Sequence, residues 1–357
     1  MTHRSLISLL FSMTVFFVMA GNALAQDGSL RLVTSPLPIS LVTPPGTTIT
    51  TELKVKNDGI EEESLKIDIL KFDAYEDSGK PELMDLEASD TLDDWVTFSE
   101  PTFTLAPQEW KTITVTFAVP DTAAFGYYYA FVFTRANPEA NLAPEQTAVV
   151  GGTATLVLLE ARVPDAKREV QVTEFSTDQT MYEFLPTTFT IALKNAGTVH
   201  VAPRGNIFLS QGNDKEIALL EVNEAKGNIL PNSTRVFEAA WTDGFPVYET
   251  ILENDATVLD EEGQPKRELR WDWQQASKLR FGKYTAKLLL VYDDGTRDVP
   301  IEGVVSFWVV PWRLVGGGIF IAIFFLIGIY NRFFSITIFN YDFFIILVNN
   351  GGAGGGI

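Results

Sequence analysis

The residue types that carry most nucleophilic and metal chemistry are nearly missing from this chain of 357 residues. It has no cysteine and two histidines, and His200 is the one outside the first three residues. A single histidine cannot build a zinc site, and no serine pairs with it in a nucleophile motif. We interpret His200 as a loop histidine that hydrogen-bonds the backbone.

Carboxylates are abundant, with 46 Asp and Glu against 27 Lys and Arg and a net charge of −19. Clusters such as Asp93-Asp94, Asp260-Glu261-Glu262 and Asp293-Asp294 lack the regular ligand spacing of a calcium loop. Solubility explains the acidity, calcium binding is the alternative, and no metal ligand is assigned. No carboxylate pair stands in a motif for sugar hydrolysis. The sequence therefore predicts a protein that is not an enzyme, with no catalytic residue and no cofactor.

Aromatic side chains are the remaining candidates in the first half of the chain. Gly126 leads into three consecutive tyrosines, and aromatic faces bind sugars and prolines. The structural alternative is a tyrosine that ties a strand corner to nearby backbone. Trp95, Tyr127 and Tyr128 are the predicted ligand-binding residues here.

A second aromatic group lies in the second half. Trp271 and Trp273 are flanked by Arg267, Arg270 and Lys278, which makes a basic, aromatic-rich patch in an acidic chain. Tryptophan and arginine are enriched at interface hot spots. The alternative is an element that covers an open sheet end. We predict that Trp271 and Trp273 bind a ligand or partner.

The chain is organised around an apolar stretch, Pro311 to Tyr330, which has no charge for eighteen residues after Arg313. About 20 helical residues span the ~30 Å hydrocarbon core of a bilayer. Trp312 and Tyr330 stand at its ends, where aromatic rings prefer the headgroup level. We predict a transmembrane helix over 310–331.

The beginning of the chain predicts export. Arg4 precedes an apolar run from Leu6 to Met19, and Ala23-Leu24-Ala25 supplies a cleavage pattern. Residues 1–25 are therefore predicted to be a signal peptide, and the bulk of the chain to lie outside the cell membrane. An exported chain without cysteine points to a bacterial surface.

Between these segments the sequence predicts an all-β protein of two tandem immunoglobulin-like antiparallel β-sandwiches, at 26–164 and 165–309. In the first, Ile49, Thr51, Leu53 and Val55 alternate with polar residues, and about seven such strands make a sandwich. Asp73 to Asp94 is polar and patternless, which predicts a long loop. The second has a long insertion at 242–280.

The charge of the first half limits its partners, and the C-terminal tail has no assigned role. From Asp27 to Pro164 there are 9 Lys and Arg against 22 Asp and Glu, a net charge of −13. Such a surface repels phosphate backbones, so nucleic acid is excluded as a partner. The apolar, Gly-rich tail at 332–357 is short for a second span; a re-entrant segment and an unfaithful reading frame both stay open.

One family shares this layout. The chain resembles the WxL-interacting proteins of Gram-positive bacteria, on Pro45-Gly46, Asn57, Asp94-Trp95, Leu105-Ala106-Pro107, Pro120 and Gly126 to Tyr129. The resemblance implies a wall-binding first domain and a second domain that contacts host or partner proteins. The paired Gly151-Gly152 lie further on than the family's late glycines, and the second domain does not match closely.

These observations predict a membrane-anchored extracellular binding protein. Its first domain would contact peptidoglycan or wall-associated proteins, and its second a protein partner. The alternative is an assembly scaffold or chaperone-like subunit that offers a sheet edge to another chain. A regular exposed edge, without a concave aromatic site, would favour that alternative.

Overall fold

The structure is a computed structural model that describes residues 30–350 apart from 89, 138–150, 213–214, 254–255 and 261. For residues 215 and 333–350 it describes the backbone. The predicted signal peptide lies outside the described residues. The chain divides into two compact units, Met1–Phe72 with Leu83–Val163, and Asp73–Glu82 with Pro164–Ile357.

Ten strands precede Val163: β1 (Leu32–Ser35), β2 (Ile39–Thr43), β3 (Thr48–Asn57), β4 (Glu63–Tyr75), β5 (Lys80–Met84), β6 (Val96–Phe98), β7 (Thr102–Leu105), β8 (Trp110–Ala118), β9 (Phe125–Arg135) and β10 (Thr153–Ala161). The end of β4 and the start of β5 lie within Asp73–Glu82, which belongs to the second unit. One sheet has the order β1-β3-β8-β6, and the other β2-β10-β9-β4-β5 with β7 beside β4. Strands β2 and β10 pair in parallel, whereas β1–β3, β3–β8, β6–β8, β9–β10, β4–β9 and β4–β7 are antiparallel.

The predicted alternation of β3 and β8 is confirmed. Leu53 and Val55 are fully buried, and so are Ile113, Val115 and Phe117, whereas the residues between them face outward. Side chains on one face of each sheet therefore meet in a single core between the sheets, as the period of two requires.

Twelve strands form the second unit: β11 (Val170–Thr177), β12 (Met181–Tyr182), β13 (Thr187–Asn195), β14 (Arg204–Gln211), β15 (Lys215–Val222), β16 (Thr234–Trp241), β17 (Val247–Thr250), β18 (Leu252–Glu253), β19 (Ala256–Thr257), β20 (Arg267–Arg270), β21 (Gly282–Asp293) and β22 (Asp298–Val309). The main sheets are β11-β13-β16 and β12-β22-β21-β14-β15. The fold is thus all-β with immunoglobulin-like antiparallel sandwiches, as predicted.

The predicted insertion at 242–280 contains two small antiparallel pairs, β17 with β20 and β18 with β19, and a 3₁₀ turn over Trp273–Lys278. The core of the second unit centres on Trp241, whose ring centroid lies 5.2 Å from Tyr284 and 6.1 Å from Phe307. All three side chains are almost completely buried.

The same buried asparagine closes a strand in both units. Asn57 ends β3, and its Nδ2 donates to the carbonyls of Glu61 (2.6 Å) and Leu105 (3.2 Å). Asn195 ends β13, and its Nδ2 donates to the carbonyls of Val199 (2.8 Å) and Ile229 (2.9 Å). Each Oδ1 accepts the N–H two residues on. The side chain thus hydrogen-bonds the backbone of two separate segments, which buried carbonyls require.

Two elements differ from the sequence predictions. The polar segment after Asp73 continues β4 to Tyr75 and then forms β5, not one long loop. All five residues of β5 are exposed, so the strand has no apolar periodicity that a sequence pattern could reveal.

The terminal helix is also longer than predicted. Helix α1 begins at Trp312 and ends at Asn350, so it replaces both the 310–331 helix and the proposed re-entrant segment. No glycine or proline lies between 333 and 350, and nothing in that stretch forces the helix to stop. Within the described residues it is the single helix long and apolar enough to cross a membrane, over Trp312–Arg332.

Candidate functional site

Trp95 and Tyr127, two of the predicted ligand-binding residues, pack against each other. Their ring centroids lie 4.7 Å apart in an edge-to-face arrangement, and Trp95 is buried. The Tyr127 hydroxyl accepts a hydrogen bond from the N–H of Ala124 at 3.1 Å. This is the corner-tying role that the sequence offered as the alternative, and it places both side chains in the packing of the sandwich.

Tyr128 faces the other side of β9. Its ring lies 5.9 Å from that of Phe72 and extends over Gly126, where a Cβ atom would come within 2.2 Å of the hydroxyl oxygen. A side chain at 126 would therefore require the Tyr128 ring to move. The next residue, Tyr129, is fully buried, and burial raises the pKa of its hydroxyl. Ligand binding by Tyr127 and Tyr128 stays a prediction.

Trp271 and Trp273 form the exposed aromatic group of the second unit. Their rings stack with centroids 5.7 Å apart, and Phe245 packs against both at 5.7 and 5.3 Å. Trp273 is 71% exposed. The predicted neighbour Lys278 pairs with Asp243 at 2.5 Å, and Arg270 pairs with Glu249 at 2.9 Å. The structure therefore brings the two tryptophans together, and neighbouring carboxylates neutralise these two basic residues.

The acidic clusters stabilise turns. Asp294 Oδ1 accepts hydrogen bonds from the Thr296 hydroxyl and from the N–H groups of Thr296 and Arg297, at 2.7, 2.8 and 3.0 Å. These bonds, the hydroxyl first, lower the pKa of Asp294 to about 2. Asp260 likewise accepts two turn N–H groups. Among the described residues, no three His, Cys, Asp or Glu side chains are placed to share a metal ion.

The two edge strands of the sheet β2-β10-β9-β4-β5 differ in a way that the aromatic candidates did not indicate. Edge strand β5 carries Lys80, Pro81 and Glu82, which are residues that block pairing with another chain. Edge strand β2 has no charge and no proline within it, and Val42 is 48% exposed. On the side away from β10, β2 has no partner strand in the described part of the chain.

The backbone of β2 is directed so that two residues point to this open side. The Thr43 carbonyl accepts the N–H of Arg162 at 2.8 Å, so the backbone groups of Thr43 face the β10 side. Directions alternate along a strand in a parallel ladder. The N–H and C=O of Ser40 and Val42 therefore face outward, and Leu37 is exposed just before them.

A sequence signal for this edge exists. No Asp, Glu, Lys or Arg occurs from Leu32 to Thr51, twenty residues of a first half that carries a net charge of −13. Charge depletion alone, however, does not distinguish an edge strand from a central one, because both can lack charges. The sheet order was needed to place β2 at the edge.

Comparisons with solved structures give low-scoring matches. The class 5 fimbriae chaperone CfaA matches at a TM-score of 0.36 and 12% identity, over 77% of this chain and 98% of that one. A chain of the CsuC–CsuE chaperone–tip adhesion subunit pre-assembly complex of Acinetobacter baumannii matches at 0.34 and 14%, over 76% and 97%. The E. coli chaperone DraB matches at 0.32 and 14%, over 77% and 96%.

No protein-family model matches the chain, and no curated protein matches it. At these TM-scores the structural likeness carries no argument about function. The resemblance to the WxL-interacting proteins stays a prediction, and the fold assignment rests on the strand pairing itself.

Proposed function

We propose that the protein is a membrane-anchored subunit that binds another protein chain by strand addition along β2. This is the scaffold or chaperone-like alternative of the sequence analysis. The observation that carries it is the charge-free, outward-facing edge of β2, set against the charged and proline-containing edge of β5 in the same sheet. Unpaired backbone groups on such an edge are a template for a further strand.

The edge defines what kind of segment would bind. The five residues of β2 extend about 17 Å, enough for a partner strand of similar length. Main-chain hydrogen bonds to Ser40 and Val42 would supply affinity. The exposed Val42 and Leu37 favour apolar side chains at alternate positions of the partner. The acidic surroundings disfavour an acidic segment.

Helix α1 supplies the anchor in this proposal. Its 21-residue apolar part, Trp312–Arg332, is long enough to cross the hydrocarbon core of a membrane. We propose that this helix holds both sandwiches at the outer face of the cell membrane, with the predicted signal peptide directing export. The protein would then act where an exported partner emerges.

Peptidoglycan binding stays a separate prediction. Trp95 is buried and its ring packs edge-to-face with Tyr127, so these two rings are engaged with each other in the first sandwich. Strand addition has the better support, because it rests on backbone groups that are exposed.

Site-specific photo-cross-linking on cells tests the proposal. A benzophenone amino acid replaces Val42 on β2 in one variant and Leu83 on β5 in a matched variant. Leu83 is 41% exposed, similar to Val42, and lies on the opposite edge of the same sheet. We expect a discrete cross-linked protein from position 42 and none from position 83.

Two results would count against strand addition. Equal cross-linking from both edges would indicate a non-specific surface. If removing cell-wall material abolished the cross-link from position 42 while the cell proteins were retained, the result would favour the wall-binding prediction.

A further inference from the structure

Exposed apolar side chains gather at the end of the second sandwich from which α1 departs. Strand β22 ends at Val309 and α1 begins at Trp312, so two residues separate sheet and helix. The first of them, Val310, donates its N–H to the Tyr182 carbonyl at 2.8 Å and accepts the N–H of Trp312 at 2.8 Å. The helix therefore leaves the sheet without a flexible linker.

An ion pair reinforces this junction. Arg313, in the first turn of α1, lies 3.4 Å from the carboxylate of Glu183, which follows β12 and is buried. Breaking the pair would leave a buried carboxylate without its cation, which is costly. The first turn of α1 is thus held to the body of the sandwich by backbone and side chain together.

The strand register places exposed aromatic residues level with the start of the helix. Gly282 pairs with Val309 and Lys283 with Trp308, so Phe281 lies at the level of Val310. Phe281 is 57% exposed, and Trp308 and Met181, which pair with each other, are also exposed. Phe281 is thus level with a residue two positions before α1, and Trp308 and Met181 are level with each other, four positions before it.

The stacked tryptophans belong to the same end. The Lys278 carbonyl, three residues before Phe281, accepts the N–H of Phe245 at 3.1 Å, and Phe245 packs on both Trp271 and Trp273. Leu279, which lies between Lys278 and Phe281 in the sequence, is also exposed. We name Trp271, Trp273, Leu279, Phe281, Trp308 and Met181 the helix-proximal apolar patch.

The position of α1 in the bilayer determines the surroundings of this patch. If Trp312–Arg332 spans the ~30 Å hydrocarbon core, Trp312 lies at the outer headgroup level. By register Phe281 is level with Val310, just outside that level, and Trp308 is two strand residues, or about 7 Å, further from α1. Exposed tryptophan and phenylalanine rings are stable at the headgroup level, since the apolar ring enters the acyl boundary and the indole N–H stays hydrated.

We propose that the helix-proximal apolar patch rests in the outer headgroup layer of the phospholipid bilayer, with Trp273, Phe281 and Trp308 as the inserted side chains. This rests on the proposed membrane anchoring by α1. The second sandwich would then stand on the membrane with one fixed face and would not swivel on its helix. The occupant of the patch is lipid, and a protein occupant is the outcome that would exclude it.

The test uses the full chain, which is free of cysteine, so that a single introduced cysteine can be labelled. Phe281→Cys and Trp273→Cys are labelled with an environment-sensitive fluorophore and reconstituted into phosphatidylcholine vesicles. The quencher is a spin label on the lipid headgroup. We expect quenching at least about twofold stronger than for a label outside the bilayer.

Val304→Cys is the matched control. Val304 is 62% exposed and lies on the same face of β22 as Trp308, four residues or about 13 Å further from α1. Its label should remain accessible to an aqueous quencher. Equal, weak lipid quenching at Phe281, Trp273 and Val304 would overturn the proposal and leave a protein as the occupant.

A label inside the helix separates this inference from the anchor on which it rests. Ile323→Cys lies near the middle of Trp312–Arg332 and should be quenched by a spin label on the acyl chain. Quenching at Ile323 but not at Phe281 would refute the patch alone. No quenching at Ile323 would refute the anchoring itself. Circular dichroism of each variant checks that the sandwiches remain folded.

Discussion

The two sandwiches use the same devices to hold their strands and different surfaces to meet other molecules. In both, a buried asparagine ends a strand, β3 in the first unit and β13 in the second, and its side chain hydrogen-bonds two neighbouring segments. In both, a tyrosine hydroxyl accepts the N–H three residues before it, from Ala124 to Tyr127 and from Phe281 to Tyr284. These shared contacts are internal, so they describe the fold and carry no information about a partner.

The surfaces are where the units diverge. The first presents an uncharged edge strand, β2, and the second presents an apolar patch beside α1. Aromatic residues attract functional interpretation in both, yet those of the first unit are packed and those of the second are exposed. The comparison shows that exposure, and not residue type, separates a candidate contact from a packing role.

The largest effect should come from removing the shared asparagine. Asn195→Ala removes the side-chain hydrogen bonds to the Val199 carbonyl and the Gly197 N–H, and one of the two hydrogen bonds to the Ile229 carbonyl, which keeps the Val201 N–H. We expect a loss of about 3–5 kcal/mol in the free energy of unfolding of the second unit. Asn57→Ala should cost less, about 2–3 kcal/mol, because two of its three hydrogen bonds are partly exposed and water can replace them.

Hydrogen exchange followed by mass spectrometry on the full chain measures both, since amides of β13 and β3 report each unit separately. A loss that spreads equally to both units would contradict the assignment of one asparagine to each core. A larger loss for Asn57→Ala would contradict the burial argument.

The second effect addresses the edge that distinguishes the first unit. Val42→Pro removes an outward N–H and leaves the β2–β10 ladder intact, so we expect partner capture to fall at least about tenfold, or ~1.4 kcal/mol. The control is Leu83→Pro on β5, two residues after Pro81. Positions 81 and 83 face the same side of β5, and Pro81 already has no N–H on that side. Capture of the partner should therefore not change.

Quantitative pull-down of the cross-linked partner measures capture in both variants. An equal fall for Leu83→Pro would mean that the edges do not differ, which would remove the basis for strand addition.

The sequence predicted more of the fold than of the surfaces. Alternation identified β3 and β8 because each has one buried and one exposed face. It missed β5, which is exposed throughout, and the continuation of α1 past Arg332. Val42 could not be found, since its importance depends on which strand lies at the end of the sheet order. The pairing of Trp271 with Trp273 could be anticipated, because clustered aromatic and basic residues are rare in an acidic chain, and their binding of a ligand or partner stays a prediction.

A smaller effect tests the paired tyrosines. Tyr127→Phe and Tyr284→Phe each leave one backbone N–H without its acceptor, and we expect about 1 kcal/mol from each. The two losses in the free energy of unfolding should be equal if both hydroxyl groups have a structural role. Retention on peptidoglycan, normalised to the folded fraction, should be unchanged by Tyr127→Phe. A specific fall in retention for Tyr127→Phe would restore the wall-binding prediction for the first unit.

The smallest effect concerns two exposed carboxylates, one in each unit. A side-chain hydrogen bond from Lys56 (2.7 Å) lowers the pKa of Asp58 in the first unit. The pKa of Asp294 in the second unit is lowered to about 2, chiefly by the Thr296 hydroxyl and then by turn N–H groups. Salt screens an exposed ion pair but not short hydrogen bonds to neutral donors. Arg297 lies 3.7 Å from Asp294, and its charge is the smallest contribution there. Raising the salt concentration should therefore raise the pKa of Asp58 by more than that of Asp294.

Thr296→Val provides the complementary change, because it removes the largest contribution and should raise the pKa of Asp294 toward 3.8. A depressed carboxyl pKa stabilises the fold above the unfolded pKa, and this contribution is lost as the pH falls from 3.8 through about 2. Carboxyl titration by NMR of isotope-labelled full-length chain in detergent measures both sites. A larger salt response at Asp294 than at Asp58, or no response to Thr296→Val, would mean that charged neighbours and not the hydrogen bonds of the turn set the pKa of Asp294.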